Sequence, residues 1–219
     1  MPKQYLKAAI LALTCISFPI AAQAMEPAWV GLRAGTNGYG GEVGVRIVPT
    51  IVVRGVAQGA SFDSNQTISG IDYKGTLKLG SIGAQIDFRP PVIPFYATAG
   101  LYANNNQIDL TATPTGTINI GGAVYQGSQV GTLASKTTFN DIAYYGGLGL
   151  KFGLGPVEAA LEGGIYYQGD PNVIFSASGP LATNPAFQAD LTREKAKIID
   201  KLEYAKYWPM VTLQARWKF

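Results

Sequence analysis

The sequence predicts an all-β fold, an eight-stranded antiparallel transmembrane β-barrel with long extracellular loops, one of which carries a helix. Three observations support this prediction. Beyond residue 24 there is no apolar run long enough for a membrane-spanning helix. The composition combines 27 glycines and 47% hydrophobic residues with only 14% charged residues, which is typical of β structure. Finally, many segments alternate between apolar and polar residues, as strands with two different faces do.

The N-terminus has the pattern of a cleaved signal peptide. Lys3 and Lys7 give it a basic start, residues 8–20 form an apolar stretch, and Ala22 and Ala24 supply the small-x-small cleavage site. This stretch is shorter than the about 20 residues that a membrane-spanning helix needs. The expected organisation is a signal peptide over residues 1–24 and the barrel over residues 25–219.

Eight segments alternate strongly enough to predict strands. In the last of them, Val211 and Leu213 share one face, and Thr212 lies on the other. This segment has the about 9 to 11 residues of a tilted membrane-spanning strand. The predicted strands cover residues 29–35, 42–47, 51–59, 81–88, 95–104, 142–152, 157–167 and 209–219.

The charged residues within these segments all fall on the polar face, which we expect to line the barrel. Six are basic and four are acidic, so they can nearly neutralise one another in a narrow interior. We expect a paired network in which Glu158 and Glu162 are the central acceptors. The ten residues are Arg33, Glu42, Arg46, Arg54, Asp87, Lys151, Glu158, Glu162, Arg216 and Lys218.

Two further patterns favour a membrane barrel over a soluble sandwich. The apolar faces end in aromatic residues at one edge, namely Phe88, Phe95, Phe152 and Phe219. Such a girdle is typical of a membrane interface. The connections at 49–50, 89–94 and 153–156 are short, and we expect the intervening ones to be longer, two of them much longer.

One local conflict concerns Leu77 and Leu79, which continue the fourth strand on its interior face. Either a bulge near Gly80 shifts the register, or the strand rises beyond the membrane. We favour the second interpretation, because residues 71–74 extend the alternation outward.

The terminal Trp217-Lys218-Phe219 resembles the signal by which bacterial outer-membrane barrels are recognised for assembly, with Trp217 and Phe219 as its aromatic residues. Residues 71–79 and 97–105 are similar to segments of small proteobacterial outer-membrane proteins of the eight-stranded OmpA/OmpW-like class. The resemblance implies this fold and location, and it is weak for activity because barrels of this size have many functions.

Two long loops carry further patterns. In the loop 104–140, residues 117–126 predict a hairpin around Gly121 and Gly122. In the loop 169–207, Asn184 and Pro185 begin a helix with an apolar stripe, Phe187, Leu191, Ile198 and Leu202. The helix could gate a pore or bind a partner, but we favour burial of its stripe over the barrel mouth or rim.

The sequence offers no catalytic, cofactor-binding or metal-binding residues. It has no histidine, which removes Ser-His and Cys-His catalysis and most transition-metal sites. Its single cysteine, Cys15, lies in the predicted signal peptide. Glu158 and Glu162 share a face but would lie about 13 Å apart along a strand, beyond the spacing of glycosidase pairs.

The leading hypothesis is a non-enzymatic, monomeric barrel in the outer membrane of a Gram-negative bacterium, structural or interacting through its loops. The alternatives are a narrow channel lined by Tyr96, Tyr102, Tyr145 and Tyr166 and, more weakly, a lipid-modifying enzyme. The expected partners are outer-membrane lipid, lipopolysaccharide and the barrel assembly machinery. The predicted mature chain has 15 basic and 14 acidic residues, which gives no support for nucleic-acid binding.

Overall fold

The computed structural model describes residues 29–68 and 71–219, so the predicted signal peptide and its cleavage residues Ala22 and Ala24 lie outside the described residues. The helices are α1 (Gly127–Val130) and α2 (Pro185–Leu202), with two 3-10 turns at Pro180–Thr183 and Glu203–Lys206. None of these described helices has the length and apolar character to cross a membrane. The strands are β1 (Trp29–Gly35), β2 (Gly38–Val48), β3 (Ile51–Ile68), β4 (Ile71–Phe88), β5 (Phe95–Asn104), β6 (Gln107–Ala112), β7 (Thr117–Ile120), β8 (Ala123–Gln126), β9 (Leu133–Thr138), β10 (Ile142–Leu154), β11 (Val157–Tyr167), β12 (Asn172–Ala177) and β13 (Tyr207–Lys218).

Eight of these strands form a closed antiparallel barrel. Around the ring the order is β1, β2, β3, β4, β5, β10, β11 and β13, and β13 pairs with β1. The pairing of β4 with β5 completes the closure. These are the eight segments in which the sequence predicted strands, and the predicted fold class is confirmed.

The two faces of each barrel strand differ in exposure as the alternation predicts. Leu32, Ile82, Leu148 and Leu213 are each more than 60% exposed on the outer surface. The alternate residues point inward, so that in β13 Thr212 and Arg216 are buried while Val211 and Leu213 are exposed. The outer surface of the barrel is therefore apolar and the interior is polar.

Strands β3 and β4 extend well beyond the barrel and remain paired with each other. Their pairing runs from Ile51 opposite Phe88 to Ile68 opposite Ile71 with no shift of register. The bulge considered near Gly80 is therefore absent, and the strand extends beyond the barrel in one continuous register, as the favoured interpretation requires. Leu79 is buried on the continuation of the interior face.

The connections at one end of the barrel are short, as predicted, but the first connection at the opposite end is short as well. Only Thr36 and Asn37 separate β1 from β2, which corrects the expectation that every intervening loop is longer. Gly38 makes this turn possible with a φ of 97°. A Cβ at Gly40 would lie 1.9 Å from the Ala57 oxygen, so glycine permits this close strand approach.

A second unit, which we call the cap, covers the end of the barrel opposite the short turns. It consists of the upper parts of β3 and β4, strands β6–β9 and β12, and helices α1 and α2. Its sheet has the order β3, β4, β6, β9, β12. The cap core contains Tyr73, Ile118, Ile120, Leu133, Phe187 and Leu191.

The predicted hairpin and helix are both present in the cap. Gly121 and Gly122 have φ angles of 63° and 98°, which fit the tight turn between β7 and β8. The Asn184 side chain accepts hydrogen bonds from the amides of Ala186 and Phe187, and so caps α2. Of the predicted apolar stripe, Phe187 and Leu191 are buried against the hairpin and the cap sheet, and Ile198 and Leu202 are half-buried.

Candidate functional site: the barrel interior

The barrel interior contains three layers of side chains along its axis. The charge layer, defined by the ion pairs below, lies nearest the short turns. The tyrosine layer follows, with Val56, Tyr102, Ala143, Tyr145, Tyr166 and Met210. The amide layer lies beneath the cap and contains Asn37, Gln58, Ser81, Asn104, Asn106 and Gln168.

Arg54 lies at the centre of the charge layer and is fully buried. Its Nη1 donates to Glu42 Oε2 at 2.9 Å, and its Nε and Nη2 donate to Asp87 Oδ1 at 3.0 and 2.8 Å. Nη2 also donates to Glu162 Oε2 at 2.6 Å. Because β3 and β11 are four strands apart in either direction around the ring, the Arg54–Glu162 ion pair crosses the barrel.

Two more arginines join the walls of the barrel at neighbouring heights. Arg216 donates from Nε to Glu42 and from Nη1 to Glu158 Oε1 at 2.9 Å. Arg33 donates to Glu42 Oε2 at 3.4 Å and lies 4.0 Å from Glu162 Oε1. Each carboxylate therefore serves more than one guanidinium, which lowers the cost of burying these charges.

Arg89 belongs to the same network although it lies in the turn that follows β4, and the sequence analysis missed it. It donates to Asp87 Oδ2 at 2.9 Å and to Glu158 Oε1 at 3.0 Å. Its guanidinium lies 4.6 Å from the ring of Trp29 and 4.7 Å from that of Tyr96. Continuing the β4 alternation one step past Phe88 would have placed this residue on the interior face.

The structure places all ten predicted charges on the inward face, and it brings eight of them into this network. Lys218 is the outermost member, with its Nζ 3.0 Å from Glu158 Oε2. Arg46 and Lys151 are half-buried and lie opposite the buried Val52 and Ala160, nearer the short turns. With Arg89 included, the ion pairs of this network join five basic groups to four carboxylates.

The tyrosine layer packs closely above the charges. The ring of Tyr102 meets that of Tyr166 edge-on at 5.4 Å and that of Tyr145 at 6.4 Å. A further tyrosine, Tyr96, lies lower and donates its hydroxyl to Glu162 Oε2 at 2.8 Å. A Cβ at Gly149 would lie 2.0 Å from the Tyr96 ring, so this interior glycine makes room for an aromatic side chain.

The amide layer ties the bases of three connections to each other. Asn37, from the β1–β2 turn, donates to Ser81 Oγ at 3.1 Å. Asn106 donates to Gln168 Oε1 at 2.8 Å, and Gln168 donates to the Ala205 oxygen at 2.8 Å. These neutral hydrogen bonds close the mouth of the barrel beneath the cap.

The geometry stabilises the barrel and is poorly suited to acid–base catalysis. Glu158 and Glu162 both accept charge-assisted hydrogen bonds from arginines, so neither is poised to exchange a proton. No group of three potential metal ligands occurs among the described residues. The arrangement has the chemistry of a packed polar core that joins the barrel walls.

The fold defines a class, the closed eight-stranded antiparallel barrel with a polar interior and an apolar outer surface. No protein-family profile and no curated protein match the sequence. The structure is similar to that of Acinetobacter baumannii CarO2, with 22% identity over 90% of this chain and 100% of that chain and a TM-score of 0.62. It is also similar to A. baumannii CarO, with 20% identity over 90% of this chain and 98% of that one and a TM-score of 0.58. At this level of identity the likeness concerns the fold.

Proposed function

We propose that this protein is an outer-membrane barrel of a Gram-negative bacterium, in the broad class of small OmpA/OmpW-like barrels. The apolar outer surface supports this location, because an aqueous environment would disfavour so continuous an exposed apolar belt. The aromatic residues Phe88, Phe95, Phe152 and Phe219, each more than half exposed, lie at the ends of barrel strands nearest the short turns. This end then faces the periplasm, and the cap faces outward.

We further propose that the barrel is closed to solutes and acts as a non-enzymatic membrane anchor that displays the cap. The Arg54–Glu162 ion pair across the barrel, at 2.6 Å, is the observation that carries this proposal. Above this ion pair, the tyrosine layer contributes packed rings and the amide layer contributes hydrogen-bonded amides to the barrel interior. A permeant solute would have to disrupt all three layers.

Conductance across planar lipid bilayers tests this proposal against the narrow channel. The purified, folded protein is expected to give no steady conductance. The double variant Arg54→Ala/Glu162→Ala removes both members of the ion pair that crosses the barrel. It is expected to raise conductance only slightly, because the tyrosine and amide layers remain in place. The matched control is Lys78→Ala/Asp109→Ala, which removes an ion pair of the cap. Steady conductance from the unmodified protein would refute the closed barrel and favour the channel.

A further inference from the structure

The outer surface of the barrel continues upward into one face of the cap sheet, which we call the outer cap face. In β4 the lipid-facing residues alternate with interior ones, and Ile82 is 66% exposed on the outside. Because β4 is continuous and its register does not shift, Lys78, Thr76 and Lys74 lie on the same side above it. The apolar wall of the barrel thus gives way to a polar surface that carries lysines.

Strand pairing shows which residues share the outer cap face. Thr76 lies opposite Asp109 in β6, and Asp109 lies opposite Lys136 in β9. Directly opposed residues share a face of a sheet. The next row towards the barrel consists of Ser61, Lys78, Gln107, Thr138 and Asn172. The next row away from the barrel consists of Asn65, Lys74, Thr111, Ala134 and Ser176.

The charges on this face leave lysine donors available. Lys78 Nζ donates to Asp109 Oδ2 at 2.8 Å, and Gln107 donates to the same carboxylate at 2.6 Å. An ammonium has three donors, so this bond leaves Lys78 able to make others. Lys74 and Lys136 are exposed. The face also contains Asp63, which accepts from the Thr76 hydroxyl at 2.7 Å.

These three lysines outnumber the two carboxylates in the three rows nearest the barrel, which gives that part of the face a net positive charge. Asp72 lies on the same face one further step away from the barrel. The remaining side chains are mostly hydroxyls and amides, which can donate to and accept from sugar hydroxyls.

The height of Lys78 matches the outer boundary of the membrane. Ten residues separate it from Phe88 along β4, which is about 33 Å at about 3.3 Å per residue. With a strand tilt of about 40°, this becomes about 25 Å along the barrel axis, the height of the apolar band of such barrels. Lys78 therefore lies where the outer-leaflet headgroups begin, and Lys74 and Lys136 lie just above.

We propose that the outer cap face binds the phosphorylated sugar headgroup of lipopolysaccharide, with Lys74, Lys78 and Lys136 as the phosphate-binding residues. This inference rests on the proposed outer-membrane location. The phosphates would meet the ammonium groups, and the sugar hydroxyls would meet the hydroxyl and amide side chains between them. The binding surface is flat and continuous with the lipid-facing wall, so a lipid can contact it while its acyl chains stay in the membrane.

The test is a titration of the purified, detergent-folded protein with bisphosphorylated lipid A, followed by native mass spectrometry. In the triple variant K74Q/K78Q/K136Q we expect the apparent Kd to rise by about tenfold or more, since one lysine at an anionic lipid surface contributes about fivefold. The matched control is R193Q/K195Q/K197Q, which removes the same charge from the polar side of α2. It is expected to bind lipid A as the unmodified protein does.

Dephosphorylated lipid A, phosphatidylglycerol and inorganic phosphate complete the experiment. We expect all three to bind the unmodified protein more weakly than lipid A does. Dephosphorylated lipid A, which has no phosphate for the lysines to bind, should bind the two triple variants equally. Equal lipid A affinity in the unmodified protein and K74Q/K78Q/K136Q, or equal losses in both triple variants, would overturn the inference, and so would phosphatidylglycerol binding as tight as that of lipid A. Failure of the unmodified protein to insert into lipid vesicles would refute the membrane location itself, which is a separate result.

Discussion

Arg54 and Glu162 lie on strands at opposite sides of the barrel, and their side chains meet at 2.6 Å in a fully buried ion pair. Neither charge is buried alone, because Glu42 and Asp87 also bind Arg54, and the Tyr96 hydroxyl donates to Glu162. The pair joins two walls that share no backbone hydrogen bonds. It therefore couples the stability of the barrel to the closure of its interior.

The first prediction concerns this pair. Glu162→Ala removes one of the three carboxylates that bind Arg54 and leaves the buried network with one more uncompensated positive charge. The free energy of unfolding should therefore fall by about 3 to 5 kcal/mol. Urea unfolding in lipid vesicles measures the effect. The control is Glu203→Ala, where a carboxylate whose side chain is 64% exposed loses an ion pair with Lys206, and a change of about 1 kcal/mol or less is expected. An unchanged unfolding midpoint for Glu162→Ala would indicate a water-filled interior.

The second prediction concerns the lipid-facing surface. Leu213 is 65% exposed near the middle of β13, so Leu213→Arg places a cation in the apolar band and should cost about 2 to 4 kcal/mol of stability in the membrane. Val124 is similarly exposed in the cap hairpin, and Val124→Arg should have almost no effect. Vesicle insertion and unfolding assays compare the two variants. Equal damage from both would contradict the proposed position of the membrane.

An arginine at Thr212, the interior neighbour of Leu213, would be a poor control for Leu213→Arg, because Thr212 makes a contact that the alternation did not reveal. Thr212 is buried, and its Oγ1 accepts a hydrogen bond from Arg33 Nη2 at 3.5 Å. A new arginine would crowd the interior and repel Arg33. Thr212→Val, which keeps the size of the side chain, is therefore the better substitution for the interior position next to Leu213.

The third prediction concerns the C-terminal aromatic residues. Phe219 is exposed directly after β13, beside the exposed Trp217, where an assembly machinery can contact it. Deletion of Phe219 is expected to reduce the yield of folded protein in the outer membrane and to leave it in the periplasm or degraded. Cell fractionation measures this, and Phe219→Tyr should assemble normally. A full yield after deletion would show that the last residue is not the signal.

The fourth prediction separates the cap from the barrel. Phe187 is 1% exposed in the cap core and packs edge-on against Tyr125 at 4.9 Å. Phe187→Ala should destabilise the cap by about 3 to 5 kcal/mol, because it opens a cavity in a small core. Limited proteolysis should then cleave the cap while the barrel stays folded by gel mobility. Simultaneous loss of barrel structure would show that the two units fold as one.

The fifth prediction uses the pH dependence of the cap. Burial and, to a smaller extent, the Glu194 carboxylate together raise the pKa of the Tyr73 hydroxyl from 10.0 to about 12. Because the folded cap favours the neutral phenol, this contribution to stability is complete below pH 10 and is lost as the pH rises towards 12. The resistance of the cap to proteolysis should fall over this range, and it should fall less in Tyr73→Phe. Identical pH profiles would contradict the assignment.

Sequence alone determined the barrel. Alternation with a period of two is a local property of a strand, so the eight strands and the inward placement of residues such as Arg54 and Leu79 could be predicted without knowing any partner. Two local features were also predictable, namely the hairpin turn at Gly121 and Gly122 and the start of α2 at Asn184. Both depend mainly on residues that are neighbours in the sequence.

Tertiary structure decided the rest. Which arginine meets which carboxylate depends on strand stagger and ring closure, so the Arg54–Glu162 pair and the contacts of Arg89 with Asp87 and Glu158 could not be derived from spacing along the chain. The cap strands β6, β9 and β12 were missed because each has only six residues, too few to distinguish a strand from a loop. β6 pairs with β4, β9 with β6 and β12 with β9, and residues of these strands pack with Phe187 and Leu191. These contacts join residues that are distant in the sequence.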